Sequence, residues 1–154
     1  MTINTPFGPL QAAVNADGAL TELKFGAAKT NGTAVGKTAG NPAVKRQLDE
    51  FFAGKRTTFD LPMAPEGTEF QKRVWAELLR IPCGETVSYA QLATRVGSEG
   101  AARAVGRANA TNPIAIVVPC HRVIGADGSL TGYAYGVELK RRLLDFERGQ
   151  TRLS

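Results

Sequence analysis

Two cysteines and one histidine are all that this 154-residue chain has of the side chains that most often crosslink proteins or bind transition metals. Cys83 and Cys120, with no further Cys/His cluster, make neither a disulfide framework nor a structural zinc site. Long apolar runs are also missing, which excludes a signal peptide and a membrane span and leaves no membrane partner to consider. A reducing compartment is expected: the cytoplasm, or the nucleus in a eukaryote. No internal repeat is evident. What the chain does have is apolar residues, 43% of the total, enough to bury a core without staples.

The net charge is +5 and unevenly spread: residues 1–67 carry seven Lys/Arg against six Asp/Glu, residues 68–154 twelve against eight. A basic second half is compatible with a polyanionic partner. Many proteins of similar charge bind none, so charge only supports a reading made on other grounds.

Leu10–Val14 and Leu20–Phe25 are short apolar-rich runs on either side of Asp17-Gly18, a dipeptide suited to a hairpin turn. Ala27–Pro42 is rich in Gly, Thr, Ala and Asn, has no usable period and reads as a loop. Val44, Leu48, Phe51 and Phe52 recur at helical spacing as far as Gly54, and Thr57–Leu61 reads as a further strand. Residues 1–67 are therefore expected to form a small α/β subdomain with antiparallel strands, with Met63–Gly67 as its linker to a second domain over 68–154.

The second domain reads as mainly helical, so the fold class is α/β of the α+β kind. Thr68–Gln71 and Ser88–Gln91 both fit a capping box. The first helix is expected to run to Arg80, burying Phe70, Val74, Trp75, Leu78 and Leu79 before Pro82-Cys83-Gly84 stops it. The second, Tyr89–Val96, ends at Gly97, and a third follows over Ala101–Asn109. Two short helices around a glycine-containing turn resemble a helix-turn-helix.

Ala101, Ala102, Ala104, Gly106 and Ala108 make the third helix thin. Gly106 costs about 1 kcal/mol relative to alanine in a helix interior, so close approach of another surface is a plausible compensation. That surface is either DNA or another helix. Arg103 and Arg107, four apart on one face, argue against a dry interface and so favour DNA, with Arg107 as a phosphate contact.

Ile114–Val118 is β-branched and apolar and reads as a buried strand, which Pro119 ends. The next residues pair Cys120 with His121, the chain's one imidazole. A free thiol is largely protonated at neutral pH, so a cysteine nucleophile needs a neighbouring base or dipole. Pro119 favours a helical first turn, which would place Cys120 at a helix N-terminus, where free amides favour thiolate. The alternative is a buried structural cysteine beside a histidine that only bonds locally. Glu147 poses a similar choice. On a helix from Val137 to Arg148 it lies on the stripe of Leu143 and Leu144, where an unpaired carboxylate is expensive. Its donor could be Arg122, Arg148 or Lys140.

The run Asn112-Pro113-Ile114-Ala115-Ile116-Val117-Val118-Pro119-Cys120-His121-Arg122-Val123-Ile124 resembles the active-site signature of the O6-alkylguanine-DNA alkyltransferases. The resemblance extends upstream through Phe70–Trp75, Ile81–Tyr89 and Ala101–Gly106, and downstream through Gly128–Tyr133 and Leu143–Gly149. It implies a suicide repair protein that flips O6-alkylguanine, with O4-alkylthymine as a second candidate lesion, from double-stranded DNA and moves the alkyl group to Cys120. No cofactor and no metal are implied, and the partner is lesion-bearing DNA met by a monomer. Residue by residue, the pattern makes His121 the general base and Glu147 its orienter, acting on Cys120 through a water. Tyr89 assists the departing guanine, and Asn112 braces the helix-turn-helix. Ala101, Ala102, Ala104 and Gly106 line the minor groove while Arg103 fills the space of the flipped base. Tyr89, Pro119, Val123, Tyr133, Ala134 and Tyr135 form the pocket.

Where many relatives carry small residues after Gly132-Tyr133, this chain has Ala134-Tyr135-Gly136, and Tyr135 could narrow the alkyl pocket, stack on the guanine or simply face solvent. The structural zinc of some relatives is not expected, because the histidine is committed to the site. Cys83 reads as a bystander. Among rival readings, a non-catalytic lesion-binding module resembling the alkyltransferase-like proteins would lack the nucleophile that Cys120 supplies. A major-groove transcription regulator would want polar side chains where the third helix has alanines. A cysteine hydrolase would need a deacylation route.

Overall fold

A computed structural model describes residues 1–26, 41–130 and 132–153, and the chain divides into two compact units. The fold is of the expected α+β kind. The first unit comprises Met1–Glu66 together with Pro113–Val117. Three antiparallel strands, β1 (Thr2–Thr5), β2 (Gly8–Val14) and β3 (Leu20–Phe25), form its sheet in that order. The hairpin expected at Asp17-Gly18 joins β2 to β3. Asn15 Oδ1 accepts from the amides of Asp17 and Ala19, both at 3.0 Å, and Gly18 takes the left-handed conformation. β1 escaped the sequence reading because Thr-Ile-Asn-Thr buries one side chain, Ile3, and alternation over four residues gives little signal.

Helix α1 (Ala43–Phe52) buries Val44, Leu48 and Phe51, as their spacing predicts, and also Gln47, whereas Phe52 is half-buried. Thr57–Leu61 is not the strand expected. Gln47, inside α1, donates to the Asp60 carbonyl at 2.9 Å and accepts from the Asp60 amide at 2.8 Å. Arg56 takes the Thr58 carbonyl at 3.0 Å. Side chains satisfy this backbone, so a sheet partner is not needed. Of the loop expected at Ala27–Pro42, all but the last two residues lie outside the described residues.

The apolar run Ile114–Val118 is also not a strand. β3 pairs with it at a single parallel bridge, through the Leu23 amide to the Pro113 carbonyl and the Ala115 amide to the Leu23 carbonyl, both 2.8 Å. The chain then bends, with the Val117 amide donating to the Ala115 carbonyl at 2.8 Å and Ile116 at φ 70°. An i to i+2 bond around a positive-φ residue is a γ-turn, a strained form for a β-branched side chain. All five residues are buried, and a continuous apolar run reports burial without reporting conformation.

The second unit holds Gly67–Asn112 and Val118–Ser154. Its helices are α2 (Glu69–Leu78), α3 (Tyr89–Arg95), α4 (Ala102–Ala110) and α5 (Val137–Leu153). Both expected capping boxes are present, at Thr68/Gln71 and Ser88/Gln91. α2 ends two residues short of Arg80. It buries Val74, Trp75 and Leu78, whereas Phe70 is half-buried and Leu79 is exposed, because the helix has ended and Leu79 turns outward. Trp75 Nε1 donates to the Ala108 carbonyl at 2.8 Å and ties α2 to α4. A Cβ at Gly67 would lie 2.6 Å from the Trp75 ring, so only glycine fits there. Two-residue strands β4 (Val87–Ser88) and β5 (Val123–Ile124) pair in parallel and bring the start of α3 beside the segment that carries Cys120.

Candidate active site

Pro119 sits at φ −83°, ψ 65°, and the Cys120 amide returns to the Val118 carbonyl at 2.8 Å, an inverse γ-turn. Cys120–Arg122 then form one turn of 3-10 helix. The expectation of a helix dipole at Cys120 fails here, since three residues align too few peptide units to matter. Burial dominates instead and pushes the Cys120 thiol above its ordinary pKa. A hydrogen bond from Asn112 and the charge of Lys140 act in the opposite direction. Cys120 therefore rests as a thiol and needs a base at the moment of reaction.

The chain's one imidazole is the next residue. His121, fully buried, places Nε2 2.9 Å from Glu147 Oε2. A carboxylate only accepts, so Nε2 carries the proton and Nδ1 keeps the basic lone pair, buried and without a protein partner. Glu147 also receives Arg122 in bidentate fashion, Nε to Oε1 at 2.8 Å and Nη2 to Oε2 at 2.7 Å. Arg122 is anchored in turn by Nη1 donating to the Ile81 carbonyl at 2.6 Å. Glu147 thus contacts both His121 and Arg122, and of the other donors weighed for it Arg148 pairs with Asp145. Burial alone would raise the Glu147 carboxyl, but its interactions with His121 and the Arg122 hydrogen bonds outweigh it and hold the group at about 2.

α4 and the residue after its cap hold the same turn. Asn112 Nδ2 donates to the Val118 carbonyl at 2.8 Å, and Asn109 Nδ2 to the Cys120 carbonyl at 3.3 Å. Asn109 was missed from sequence. Its position one turn from Asn112 on the buried face of α4, beside Val105 and Ala108, is the signal that could have found it. Asn109 Oδ1, Tyr133 Oη and His121 Nδ1 are buried with no hydrogen-bond partner. Such groups are costly in a core and are expected where a ligand or water completes them.

Tyr89, the first residue of α3, is half-buried, its ring 3.8 Å from where a Gly106 Cβ would stand and its hydroxyl 3.0 Å from that of Gly132. A Cβ at Gly106 would make only ordinary contact with Tyr89, so packing in the free protein does not require glycine there. Tyr133 is buried, and burial raises its hydroxyl pKa; Tyr135, half-buried, packs edge-on against it with centroids 5.5 Å apart. Ala134 is exposed, while Pro119 and Val123 are buried at the turn. On α4, Arg103 and Arg107 are exposed, and Ala102, Ala104 and Gly106 are half-buried, as is Ala101 at the cap. Cys83, half-buried, has its Sγ 4.0 Å from the Glu147 main-chain carbonyl. Burial and the Glu147 charge raise its thiol to about 11, leaving it neutral. Among the described residues no cluster of three His, Cys, Asp or Glu side chains could hold a metal ion, and no helix is long and apolar enough to cross a membrane.

Two family models match the chain. Residues 1–65 match the 6-O-methylguanine DNA methyltransferase ribonuclease-like domain, and residues 69–149 match the DNA binding domain of the same family. A methylated-DNA–protein-cysteine methyltransferase of Mycobacterium bovis is 49% identical, over 97% of this chain and 92% of its own. One from Methanosarcina barkeri is 47% identical over 97% of each. The crystal structure of Mycobacterium tuberculosis OGT in complex with DNA superposes with a TM-score of 0.85 at 46% identity, over 97% of this chain and 92% of that one.

Proposed function

The chain belongs to the methylated-DNA–protein-cysteine methyltransferase family, and from that premise we propose that it repairs DNA by moving the alkyl group of O6-alkylguanine onto its own Cys120. The observation that carries the reading is the buried line from Arg122 through Glu147 to His121, beside a cysteine whose thiol burial keeps protonated. Residues 68–154 carry DNA binding and transfer, and residues 1–67 form the accompanying domain. The protein acts as a monomer in the cytoplasm, or in the nucleus of a eukaryotic cell.

An alkyl group on guanine O6 is shielded in the duplex, so the base must be flipped, at a cost of a few kcal/mol. α3 and α4 act as a helix-turn-helix with α4 in the minor groove, and Arg103 fills the gap. A water links Cys120 Sγ to His121 Nδ1. As the proton leaves sulfur, the thiolate attacks the alkyl carbon, the carbon–O6 bond breaks, and its electron pair departs with the guanine. Tyr89 hydrogen-bonds to the departing base, whose charge is balanced by the proton taken from Cys120. The thioether has no route back, so transfer from an O6-methylguanine duplex should plateau at one methyl per protein. Turnover beyond one equivalent would contradict the reading.

Three expectations follow from α4 and the pocket. Gly106→Ala should stabilise the free protein by up to about 1 kcal/mol, since the added methyl only touches the Tyr89 ring, while weakening duplex affinity. Unchanged affinity would remove α4 from the groove. Binding should fall with salt, and Arg107→Ala should flatten the log–log salt slope by about 1; salt-independent binding would contradict the phosphate contact. Tyr135, packed on Tyr133, should make O6-benzyl transfer slower than O6-methyl, and Tyr135→Ala should close the gap. Equal rates in the unsubstituted protein would count against a narrowing role.

A further inference from the structure

Arg122 is buried and makes three short hydrogen bonds, two to Glu147 at 2.8 and 2.7 Å and one to the Ile81 carbonyl at 2.6 Å. A main-chain carbonyl fixes the guanidinium on one side, so it presents a permanent positive charge to the carboxylate on the other. Glu147 Oε2 is shared, accepting from Arg122 Nη2 at 2.7 Å and from His121 Nε2 at 2.9 Å. His121 and Glu147 have no exposed surface. The imidazole thus meets a carboxylate that is already paired. With one proton on the ring the three side chains sum to zero charge, and Nδ1 keeps its lone pair.

Without the guanidinium the sum would differ. A buried carboxylate whose one partner is an imidazole draws a second proton onto the ring, because two opposite charges in contact cost less to bury than a lone anion. An imidazolium carries N–H at both positions and cannot accept the proton of Cys120. We propose that Arg122 is a positioning residue that holds His121 as a neutral imidazole with Nδ1 open, by supplying the positive charge that a second ring proton would otherwise bring. This rests on the alkyl-transfer reading above. The other titratable groups around the three leave their sum as it is. Cys120, on the same turn, rests as a thiol, and Cys83, from the segment after α2, has its Sγ 4.0 Å from the Glu147 carbonyl and stays neutral. Tyr133, before α5, also stays neutral, since burial raises its hydroxyl. The buried faces of α2 and α4 bring apolar side chains and Asn109, none of which titrates. Lys140 stands two turns before Glu147 on α5, about 10 Å away in helix rise.

Because the chain has one histidine, its ring can be read directly. The nitrogen NMR spectrum of histidine-labelled, DNA-free protein at about pH 7.5, roughly one unit above the ordinary imidazole value, separates a ring protonated at Nε2 alone from one protonated at both nitrogens. The parent and Arg122→Lys, which keeps the charge, should show the single proton. Arg122→Gln keeps an N–H donor and removes the charge. It should show both nitrogens protonated, and single-turnover transfer from an O6-methylguanine duplex should slow by about tenfold or more, the loss narrowing as pH rises towards about 9. A singly protonated ring in Arg122→Gln overturns the inference whether or not the rate falls, because a packing defect slows transfer without adding a proton. Two ring protons in the parent or in Arg122→Lys overturn it as well. If Arg122→Gln loses its thermal transition, Arg122→Met takes its place; failure of both to fold makes the residue structural and also overturns the inference. Since the spectrum needs no DNA, a parent protein whose ring is singly protonated yet never transfers methyl would sink the alkyl-transfer reading separately.

Discussion

Glu147→Gln is expected to destabilise the protein by about 3–5 kcal/mol, the range for removing one partner of a buried ion pair. The substitution is nearly isosteric, so little of the loss comes from packing. What it leaves is the buried Arg122 guanidinium, held by the Ile81 carbonyl but without the carboxylate that neutralised it. The same change leaves one neutral amide oxygen where two carboxylate oxygens held His121 and Arg122, which weakens the hold on the His121 tautomer, so transfer should slow by about 10²-fold or more. Chemical denaturation and single-turnover kinetics measure the two effects separately. Loss of stability with an unchanged rate would make Glu147 a purely structural ion-pair partner.

The same carboxylate sets an acid limit. Its folded-state pKa, about 2, lies below the ordinary value of 4.5, so the folded state binds fewer protons here than the unfolded chain. The stabilisation is fully present above about pH 4.5 and is lost as pH falls through that value towards 2, a contribution of roughly 3 kcal/mol. Stability measured down this range should fall in the parent and be flatter in Glu147→Gln. Parallel curves would mean that other carboxylates govern acid unfolding.

Cys120→Ala should abolish transfer entirely while leaving lesion-duplex affinity close to that of the parent, because α4 and its arginines are untouched. His121→Ala should retain the nucleophile and lose about 10²–10⁴-fold in rate, the usual contribution of a positioned base. The two differ in kind: an absent sulfur cannot be compensated, whereas a missing base is partly replaced by raising pH. A His121→Ala protein that transfers at the parent rate would show that Cys120 needs no base, contrary to a thiol whose pKa burial has raised.

Much of the helical half could be read from residues alone because its signals are local. Thr68/Gln71 and Ser88/Gln91 declare helix starts within four residues, and the Val44, Leu48, Phe51 spacing declares a face. The failures share one cause. At Thr57–Leu61 and Ile114–Val118 the backbone partners are a glutamine ten or more residues away, a single bridge and two γ-turns, none of which leaves a periodic trace. In the site, Cys120, His121 and Glu147 could be named from spacing and resemblance, but the simultaneous hold of Glu147 on His121 and Arg122 could not. Nor could the hold of Asn109 on the Cys120 carbonyl, since only packing turns that face of α4 toward Cys120. The direction of the Cys120 pKa shift was misread for the same reason, since the length of the turn and the depth of burial are tertiary facts.

The most direct test is intact mass after mixing the protein with a duplex carrying one O6-methylguanine, with peptide mapping to locate any added group. The account predicts one methyl per molecule, on Cys120 and not on Cys83, and none in Cys120→Ala. Tight lesion binding with no mass change, or a methyl group mapped to Cys83, would contradict it.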